Sequence, residues 1–367
     1  MSDQPNRKDP FKATLKQRLR LSKEGSPKEV YHLTLGIEGS GIEYKPGDSI
    51  GIFPRNSFDS VEATLKAINA TGDEMIIDNK KGDSLPFRQF LTERANITSV
   101  TKKLVELTAN PALEDLDRQA IKTLANEHHV WDFLTQYKRS EISPQELSDN
   151  LLHLLPRLYS IASSQQSCKD EVHLTIAMQQ YDTGGHTRYG VATRFLCHEA
   201  PLNEPNIPLY LQDGHHFRLP EDLETPIIMV GAGTGIAPFR AFLQEREDAK
   251  KNWLFFGQCT SKHDFYYEDF WKELIDTGSL RLETAFSRDQ ENKIYVQHRI
   301  SEKGEELMQW LNEGAKLYVC GDAKRMAKDV DEALQEVICK HGNMDEQEAK
   351  DYMRQLRKDK RYLRDIY

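Results

Sequence analysis

Glycines at alternate positions, Gly231, Gly233 and Gly235, follow directly on the apolar run 226–230 and precede a helical pattern. Glycine lets the backbone turn tightly and approach a ligand without a Cβ in the way, and N–H groups at a helix start attract phosphate. Because Ile236 breaks the G-x-G-x-x-G fingerprint, the pattern predicts a phosphate-bearing ligand at a strand-to-helix turn rather than a standard dinucleotide site. A turn with a purely structural purpose is the alternative.

A second feature of this kind lies at 189–196, where small residues precede a helical pattern. This predicts a turn that opens a helix and presents another anion-binding N-terminus. Two such features in one chain are harder to explain as structural turns than one.

The segment 156–164 places an arginine, an aromatic ring and a hydroxyl within four residues, at Arg157, Tyr159 and Ser160. On an extended strand, Arg157 and Tyr159 share one face and Ser160 points to the other. Taken alone, this segment is more simply an ordinary half-buried strand.

Hydroxyl and basic side chains end the third strand predicted in the C-terminal half, at Ser287 and Arg288, and Lys293 follows. Where an NAD enzyme places an Asp or Glu for the ribose hydroxyl, these side chains favour a 2′-phosphate and hence NADP. The alternative is a solvated basic loop.

Cys320 ends the buried run 317–320 at the carboxyl edge of the predicted sheet, where open α/β sheets bind ligands. A lone cysteine there is more often a small core residue than a reactive group. No metal site or nucleophile is predicted.

The composition is that of a soluble globular protein, with 38% hydrophobic and 29% charged residues in a chain of 367. No apolar run approaches the roughly 20 residues that span a bilayer, and the polar arm 1–10 has no signal-peptide core. The net charge of −9 argues against nucleic-acid binding. The five cysteines lack C-x-x-C spacing, which favours free thiols and a cytoplasmic location.

Alternation of apolar and polar residues predicts short antiparallel strands across 11–54 and 158–211, which favours a barrel. Helical spacing fills most of 57–155, including a helix predicted at 147–155, and this region has the texture of a packed spacer. From residue 225 onward strands and helices alternate, as in a parallel α/β sheet.

The predicted fold class is therefore multidomain, β and α/β. An antiparallel β-barrel domain (1–55 and 156–222) carries a mostly helical connecting insert (56–155), and a parallel-sheet α/β domain (223–367) follows.

With these motifs in this order, the chain resembles the reductase half of the diflavin reductases. That family has the ferredoxin–NADP reductase fold and includes cytochrome P450 reductase and the flavoprotein subunit of NADPH-sulfite reductase. The matching motifs are Y-x-P-G-D at 44–48, R-L-Y-S-I-A-S-S at 157–164, G-V-A-T at 190–193, G-x-G-T-G-I-A-P-F at 231–239, F-S-R at 286–288, Y-V-Q-H at 295–298, Y-V-C-G-D at 318–322 and R-D-I-Y at 364–367.

The resemblance implies FAD as a cofactor. Arg157 would neutralise its pyrophosphate, Tyr159 would stack on the isoalloxazine, and Ser160 would lie near flavin N5. The other implied FAD contacts are Thr98 in the insert, Leu158 on the strand, Thr175, Ile176 and Ala177 along the flavin or its ribityl chain, Tyr181 near the adenine half, and Gly190, Val191, Ala192 and Thr193 at the pyrophosphate.

The resemblance also implies NADP(H). Thr234 would contact it at the glycine turn. Tyr367 would stack on the flavin face where nicotinamide must enter, and would move aside for each hydride transfer. The 2′-phosphate and adenosine would be held by Ser287, Arg288, Lys293, Tyr295 and Gln297, with Asp329 nearby.

The activity implied is that of an NADPH-dependent flavoprotein oxidoreductase, in which NADPH gives hydride to FAD and electrons leave singly. Ser160, Cys320 and Asp365 would surround the transfer site as catalytic residues. Tyr367 and the R-L-Y-S motif look more like the sulfite reductase flavoprotein than P450 reductase.

The sequence shows no FMN module and no membrane anchor, so electrons are expected to reach a separate acceptor. The implied partner is an FMN flavodoxin-like protein, a ferredoxin or the sulfite reductase hemoprotein. Two alternatives stay open: a free-standing NADPH–ferredoxin or flavodoxin reductase with the same site residues, and a non-catalytic module that keeps only the fold.

Overall fold

The computed structural model describes residues 4–113 and 116–367, so residues 1–3 of the predicted polar arm lie outside the described residues. The chain separates into two compact units. The first runs through Gly51 and also contains Leu158–Ala177 and Leu202–Tyr367, and the second consists of Ile52–Arg157 and Met178–Pro201. The predicted division into three domains stays a prediction. No helix of the described residues is long and apolar enough to cross a membrane.

Strands and helices are numbered here in chain order. The strands are β1 (Phe11–Arg20), β2 (Val30–Gly36), β3 (Ser49–Ile52), β4 (Met75–Asp78), β5 (Asp83–Pro86), β6 (Ala95–Asn96), β7 (Leu152–His153), β8 (Arg157–Ser160), β9 (Glu171–Ala177), β10 (Gln180–Thr183), β11 (His186–Tyr189), β12 (Pro205–Gln212), β13 (Ile227–Ala232), β14 (Asn252–Gln258), β15 (Arg281–Phe286), β16 (Lys316–Gly321) and β17 (Tyr362–Ile366). The helices are α1 (Phe58–Ile68), α2 (Phe87–Glu93), α3 (Lys102–Leu107), α4 (Arg118–Glu127), α5 (Val130–Tyr137), α6 (Pro144–Asn150), α7 (Gln165–Cys168), α8 (Val191–Arg194), α9 (Ala237–Glu245), α10 (Ser261–Asp264), α11 (Glu268–Asp276), α12 (Val296–Glu302), α13 (Gly304–Asn312), α14 (Met326–Gly342) and α15 (Glu346–Lys358).

The first unit contains an antiparallel barrel with the strand order β8-β3-β12-β1-β2-β9. Ile161, directly after β8, forms an antiparallel bridge with Leu174 of β9, so the two ends of this order meet and the sheet closes. Alternation along β9 buries Val172, Leu174 and Ile176, as expected for a strand with one face in a core. The predicted barrel is confirmed.

A parallel five-stranded sheet with the order β15-β14-β13-β16-β17 follows in the same unit. β13 is buried on both faces: Ile228 and Val230 belong to one hydrophobic cluster, and Ile227 and Met229 belong to another. This explains its continuous apolar sequence, because a central parallel strand is covered on each side. The predicted α/β fold is confirmed.

The second unit is mostly helical and has its own hydrophobic cluster, which includes Phe90, Phe133 and Leu134. The helix predicted at 147–155 is wrong beyond Asn150, where α6 ends. The next residues are extended, and β7 pairs with β6. Apolar residues at helical spacing suggested a longer helix, but Pro156 disfavours helical backbone just before it, and strand pairing satisfies the backbone instead.

Candidate active site

Three predicted catalytic side chains meet at the carboxyl end of β16 and β17, within the first unit. The Ser160 hydroxyl donates a hydrogen bond to Asp365 Oδ2 at 2.7 Å, and the Cys320 thiol donates to the same oxygen at 3.9 Å. Cys320 and Asp365 are register partners in the parallel sheet. Burial, followed by the neighbouring carboxylate, raises the pKa of the Cys320 thiol well above its usual value, so the thiol stays protonated and acts as a donor.

Tyr367 lies beside this group, with 62% of its surface exposed. Its hydroxyl is 2.9 Å from the Thr234 hydroxyl at the glycine turn. Its backbone N–H donates to Gly321 O and its carbonyl accepts from the Ala323 N–H. The backbone at Tyr367 is thus held by residues at the end of β16, while its ring hydroxyl contacts Thr234.

The glycine turn packs directly against Cys320. Gly233 has a φ of +61°, which favours glycine, and a Cβ on Gly235 would collide with the carbonyl oxygen of Cys320. A short 3-10 turn, Gly233–Ile236, leads into α9. Glycine is therefore required for different reasons at these two positions: for the backbone conformation at Gly233, and for the close approach to β16 at Gly235.

The side chains predicted to hold a 2′-phosphate follow β15. The N–H groups of Ser287 and Arg288 donate to the carbonyls of Gln258 and Cys259 at the end of β14. The Arg288 and Lys293 side chains are exposed, and neither forms an ion pair anywhere in the described ranges.

The remaining predicted adenosine contacts lie at α12 and α14. Tyr295 precedes α12 and is 42% exposed. The Gln297 side-chain amide donates to Asp329 Oδ2 at 3.2 Å, which joins the two helices. The structure thus brings Gln297 and Asp329 together.

Thr175, which was predicted to contact the flavin or its ribityl chain, has a hydroxyl that contacts another side chain of the protein. The Thr175 hydroxyl is 2.6 Å from the Tyr267 hydroxyl, which is 3.0 Å from His32 Nδ1. The Arg240 guanidinium lies 5.1 Å from the Tyr267 ring centre. Tyr267 has a φ of +58°, a left-handed conformation that is rare for a bulky residue. Sequence reasoning missed Tyr267, because no local pattern signals an aromatic residue in that conformation.

The other predicted flavin contacts in this unit are less closely grouped. Ile176 is buried in the barrel, and Ala177 is half-buried at the end of β9. Leu158 is exposed on β8, whereas Tyr159 is half-buried on the opposite face of the strand. On this strand, Ser160 is hydrogen-bonded to Asp365, another predicted catalytic residue.

His32 gives a pH-dependent stability that can be measured. Burial, His173 and Arg240 lower the pKa of His32 from 6.5 to about 3. Below pH 6.5 the unfolded chain therefore gains a proton that the folded chain does not accept, and the free energy of unfolding falls as the pH drops towards 3. We expect His32 alone to remove about 1.4 kcal/mol between pH 7.5 and 5.5. Urea unfolding should show a shallower pH dependence in His32→Asn, and an equal dependence in both proteins would contradict this.

The second unit contains a cleft with unmet hydrogen-bonding groups. Asn56 Oδ1 and Arg188 Nε are buried and have no hydrogen-bond partner in the described part of the chain. The Arg188 guanidinium is fixed by Asp132 at 2.8 and 2.9 Å and lies 5.1 Å from the Trp131 ring centre. Buried polar atoms without partners are rare in native proteins, and these two line a cleft that water or a polar ligand can enter. The cleft is also lined by Ser57, Ser60, Thr98, His129, Thr187, Tyr189, Val191 and Arg194.

This cleft changes the interpretation of the helical insert, which sequence reasoning described as a spacer. Thr98 was predicted as an FAD contact, but Asn56, His129 and Arg188 were not. The ring of His129 is 3.1 Å from the hydroxyl of Tyr181, another predicted FAD residue. These residues are far apart in sequence, so spacing alone gave no signal.

The predicted pyrophosphate segment begins the short helix α8. A Cβ on Gly190 would come within 2.7 Å of Gln179 Oε1, so a larger residue there would require the Gln179 side chain to shift. The Thr193 hydroxyl accepts from the Gln179 N–H and donates to the Gly190 carbonyl, each at 3.1 Å. The first-turn N–H groups at Val191 and Ala192 remain the natural anion donors. In the same unit, the exposed Arg157 guanidinium donates to Leu155 O.

Among residues 4–113 and 116–367, no group of three or more His, Cys, Asp or Glu side chains is placed so that it could hold a metal ion. The five cysteines are free thiols.

Comparison with known proteins gives matches to two domain families. Residues 4–195 match the family described as FAD binding domain, and residues 229–332 match the oxidoreductase NAD-binding domain. The first match covers the helical insert and five of the six barrel strands, because β12 lies after its end, and the second begins within β13. At the level of these domains, the predicted FAD and NADP(H) cofactors are confirmed.

Relatives named sulfite reductase (NADPH) flavoprotein alpha-component are similar over nearly the whole chain. The protein of Bacillus subtilis (strain 168) is 43% identical over 374 residues, which is 99% of this chain and 62% of the relative. That of Aliivibrio fischeri (strain ATCC 700601 / ES114) is 42% identical, covering 100% and 62%. The protein of Vibrio cholerae serotype O1 (strain ATCC 39315 / El Tor Inaba N16961) is 41% identical, covering 99% and 60%.

The chain thus spans about three fifths of the length of these relatives. The predicted resemblance to the diflavin reductases is confirmed by the two domain matches and by these similarities. The first domain match covers more than half of the residues of this chain. The chain therefore belongs to the FAD binding domain family, and an oxidoreductase NAD-binding domain follows the FAD binding domain.

Proposed function

We propose that the protein is an NADPH-dependent flavoprotein reductase of the sulfite reductase flavoprotein type. When bound, FAD supplies the conversion of two-electron to one-electron chemistry, taking hydride from NADPH and giving single electrons to an acceptor. The observation that carries this proposal is the shared hydrogen bonding of Ser160 and Cys320 to Asp365, at the sheet edge beside Tyr367.

This group suits a hydride transfer because it combines a fixed carboxylate with two neutral donors. Hydride loss leaves positive charge on the nicotinamide ring, and the Asp365 carboxylate can offset that charge. The Ser160 hydroxyl and the Cys320 thiol donate to the carboxylate and would keep it oriented, and either could hold a proton beside the bound flavin. The Tyr367 ring would cover the flavin face proposed for nicotinamide and would exclude water from it.

The preference for NADPH over NADH rests on Arg288 and Lys293. Both are exposed cations without an ion pair in the described residues, and they follow the strand end where the adenosine half of a dinucleotide binds. A guanidinium and an ammonium can together neutralise a 2′-phosphate. Ser287, Tyr295, Gln297 and Asp329 would complete this end of the cofactor site.

Candidate FAD-binding residues occur in the first unit and, independently, in the second. In the first, Tyr159 and Ser160 stand at the end of β8 as candidates for the isoalloxazine. In the second, the cleft with the unmet Asn56 and Arg188 atoms would accept the polar adenosine and phosphate part. The Arg157 guanidinium and the N–H groups that follow Gly190 would bind the pyrophosphate.

The acceptor is proposed from the relatives' name. Because proteins with this name are flavoprotein components of a sulfite reductase, we propose a separate hemoprotein of that kind as the final acceptor. An FMN flavodoxin-like protein or a ferredoxin is the intermediate carrier that would suit the same chemistry. The five free thiols are consistent with a reducing, cytoplasmic location.

The visible absorption spectrum of the purified protein tests the proposal. We expect a flavin spectrum, FAD released on denaturation, and bleaching that is much faster with NADPH than with NADH under anaerobic conditions. A colourless protein that takes up no added FAD would contradict the proposal at the first step. Bleaching at equal rates by both nucleotides would contradict only the specificity for NADPH.

Replacing Cys320 by Ala should slow flavin reduction by about tenfold while FAD stays bound, because one oriented donor near the carboxylate is lost. Stopped-flow absorbance at saturating NADPH measures this rate. Cys197→Ala is the control, since Cys197 is another buried cysteine, placed in the second unit. An unchanged rate in Cys320→Ala would remove this thiol from the mechanism.

A further inference from the structure

The edge strand β17 carries two kinds of side chain on its two faces. Asp365 and Tyr367 belong to the face that meets the candidate active site, whereas Tyr362 and Arg364 alternate with them and point to the other side. β17 pairs with β16 alone, as the last strand in the order of its sheet. The backbone of β17 is therefore hydrogen-bonded to the sheet on one side, although Asp365 and Tyr367 have to be positioned accurately at the candidate active site.

The back of β17 packs on α14 through the buried Tyr362 ring, and the Asp331 carboxylate of α14 adds a set of polar contacts. Its Oδ1 accepts a hydrogen bond from the Tyr362 hydroxyl, and its Oδ2 accepts from Arg364 and from Arg357 of α15, each at 3.1 Å. The guanidinium groups of Arg357 and Arg364 also lie 5.0 and 5.8 Å from the centre of the Tyr362 ring.

The chemistry of this cluster makes it a rigid attachment rather than a loose surface pair. Tyr362 is buried, and burial together with the Asp331 carboxylate raises its pKa, so its hydroxyl stays protonated and donates. Asp331 is largely covered, with 27% of its side chain exposed. One carboxylate thus holds two cations and a hydroxyl, and its removal would leave two guanidinium groups facing each other.

We propose that Asp331 is a positioning residue for the reaction centre, which fixes Asp365 and Tyr367 on the front of β17 by holding Tyr362 and Arg364 on its back. This inference rests on the proposed function, in which Asp365 and Tyr367 face the hydride transfer. Arg364 is the direct neighbour of Asp365, so a shift of its side chain moves the backbone that carries the carboxylate.

The same helix also reaches the adenosine end of the proposed site. Asp329 accepts from Gln297, and two residues along an α-helix are turned by about 200° from each other. The two carboxylates therefore serve different neighbours. A change at Asp331 should affect β17 while leaving the contact between Asp329 and Gln297 in place.

The test is Asp331→Asn in the full chain loaded with FAD. We expect flavin reduction at saturating NADPH to slow by about tenfold, as a displacement of well under 1 Å at a reaction centre can cause. Amide hydrogen exchange in β17 should become about tenfold faster, with the other four strands of the sheet unchanged. The affinity for adenosine 2′,5′-bisphosphate, which occupies only the adenosine end, should stay within about twofold.

Glu332→Gln is the matched control, because Glu332 follows Asp331 on the same helix and makes an exposed ion pair with Lys328. It should change none of the three measurements. Tyr362→Phe keeps the buried ring and removes only the hydroxyl, so it should give the same pattern at smaller size, and it carries the test if Asp331→Asn does not fold.

A wild-type rate in a folded Asp331→Asn protein would overturn the inference, as would faster exchange throughout the sheet, which indicates general destabilisation. Failure of the proposed function is recognised separately, because the unaltered protein would then take up no FAD or show no bleaching by NADPH. Exchange in β17 needs neither cofactor, and unchanged exchange there would overturn the attachment itself.

Discussion

Asp365→Asn should lower the rate of flavin reduction by NADPH about a hundredfold, the size expected when one preorganised charged group is removed from a reaction centre. Asn has nearly the same shape, so packing at the end of β17 is kept. The variant loses the carboxylate that accepts hydrogen bonds from Ser160 and Cys320. It therefore also loses the negative charge that would offset positive charge on nicotinamide. Rapid mixing under anaerobic conditions, followed at the flavin absorption band, measures the rate directly.

Two comparisons show whether the loss belongs to the carboxylate. FAD content and the affinity for adenosine 2′,5′-bisphosphate should be close to those of the unaltered protein, because Asp365 is proposed to act at the nicotinamide end and is not among the residues proposed to bind FAD or the adenosine end. Ser160→Ala should reduce the rate less, since the carboxylate remains and only one of its donors is lost. A rate for Asp365→Asn within about twofold of the unaltered protein would exclude an electrostatic role.

The second large effect concerns the choice of nucleotide. Replacing both Arg288 and Lys293 by Ala should weaken NADPH binding at least about a hundredfold, because each charge-assisted hydrogen bond contributes about 1.5–3 kcal/mol. NADH lacks the 2′-phosphate and should bind equally well before and after the change. The ratio of kcat/KM for the two nucleotides measures the effect, and the loss should appear in KM rather than in kcat.

The matched control removes two positive charges elsewhere. Lys272 and Lys328 are exposed and pair with Glu268 and Glu332 on their own helices. Lys272→Ala combined with Lys328→Ala should leave the nucleotide ratio unchanged. If this control lowered NADPH binding as much, the effect of Arg288 and Lys293 would come from the overall charge of the protein and not from local contacts.

The sequence predicted the architecture well because its signals are local. The apolar run before the glycine turn, the alternating strands of the barrel and the βα alternation after residue 225 each reflect burial over a few neighbouring residues. β17 was not predicted, although its end motif was recognised. Its alternating side chains are half-buried and partly charged, so a parallel edge strand there has no apolar signature.

The site was less predictable where distant segments meet. Ser160 and Asp365 are hydrogen-bonded across 205 positions, and only the resemblance to a family placed them together. Tyr267, Arg188 and Asp331 were missed entirely, because an aromatic residue with positive φ or a carboxylate shared by three donors arises from tertiary packing. No periodicity in the sequence reports such contacts.

The strand order of the barrel has a consequence for biosynthesis. Phe11 of β1 pairs with Leu209 of β12. This edge of β1 therefore stays unpaired until roughly 200 further residues have been synthesised, which takes about 10 to 40 s at usual rates of translation. The helical insert has its own core, and can form during that interval. Throughout it, β1 and β2 expose unpaired edges that favour pairing with other chains. We therefore expect the yield of folded protein during expression to rise when chaperones that cover the β1–β2 hairpin are available before β12 is synthesised.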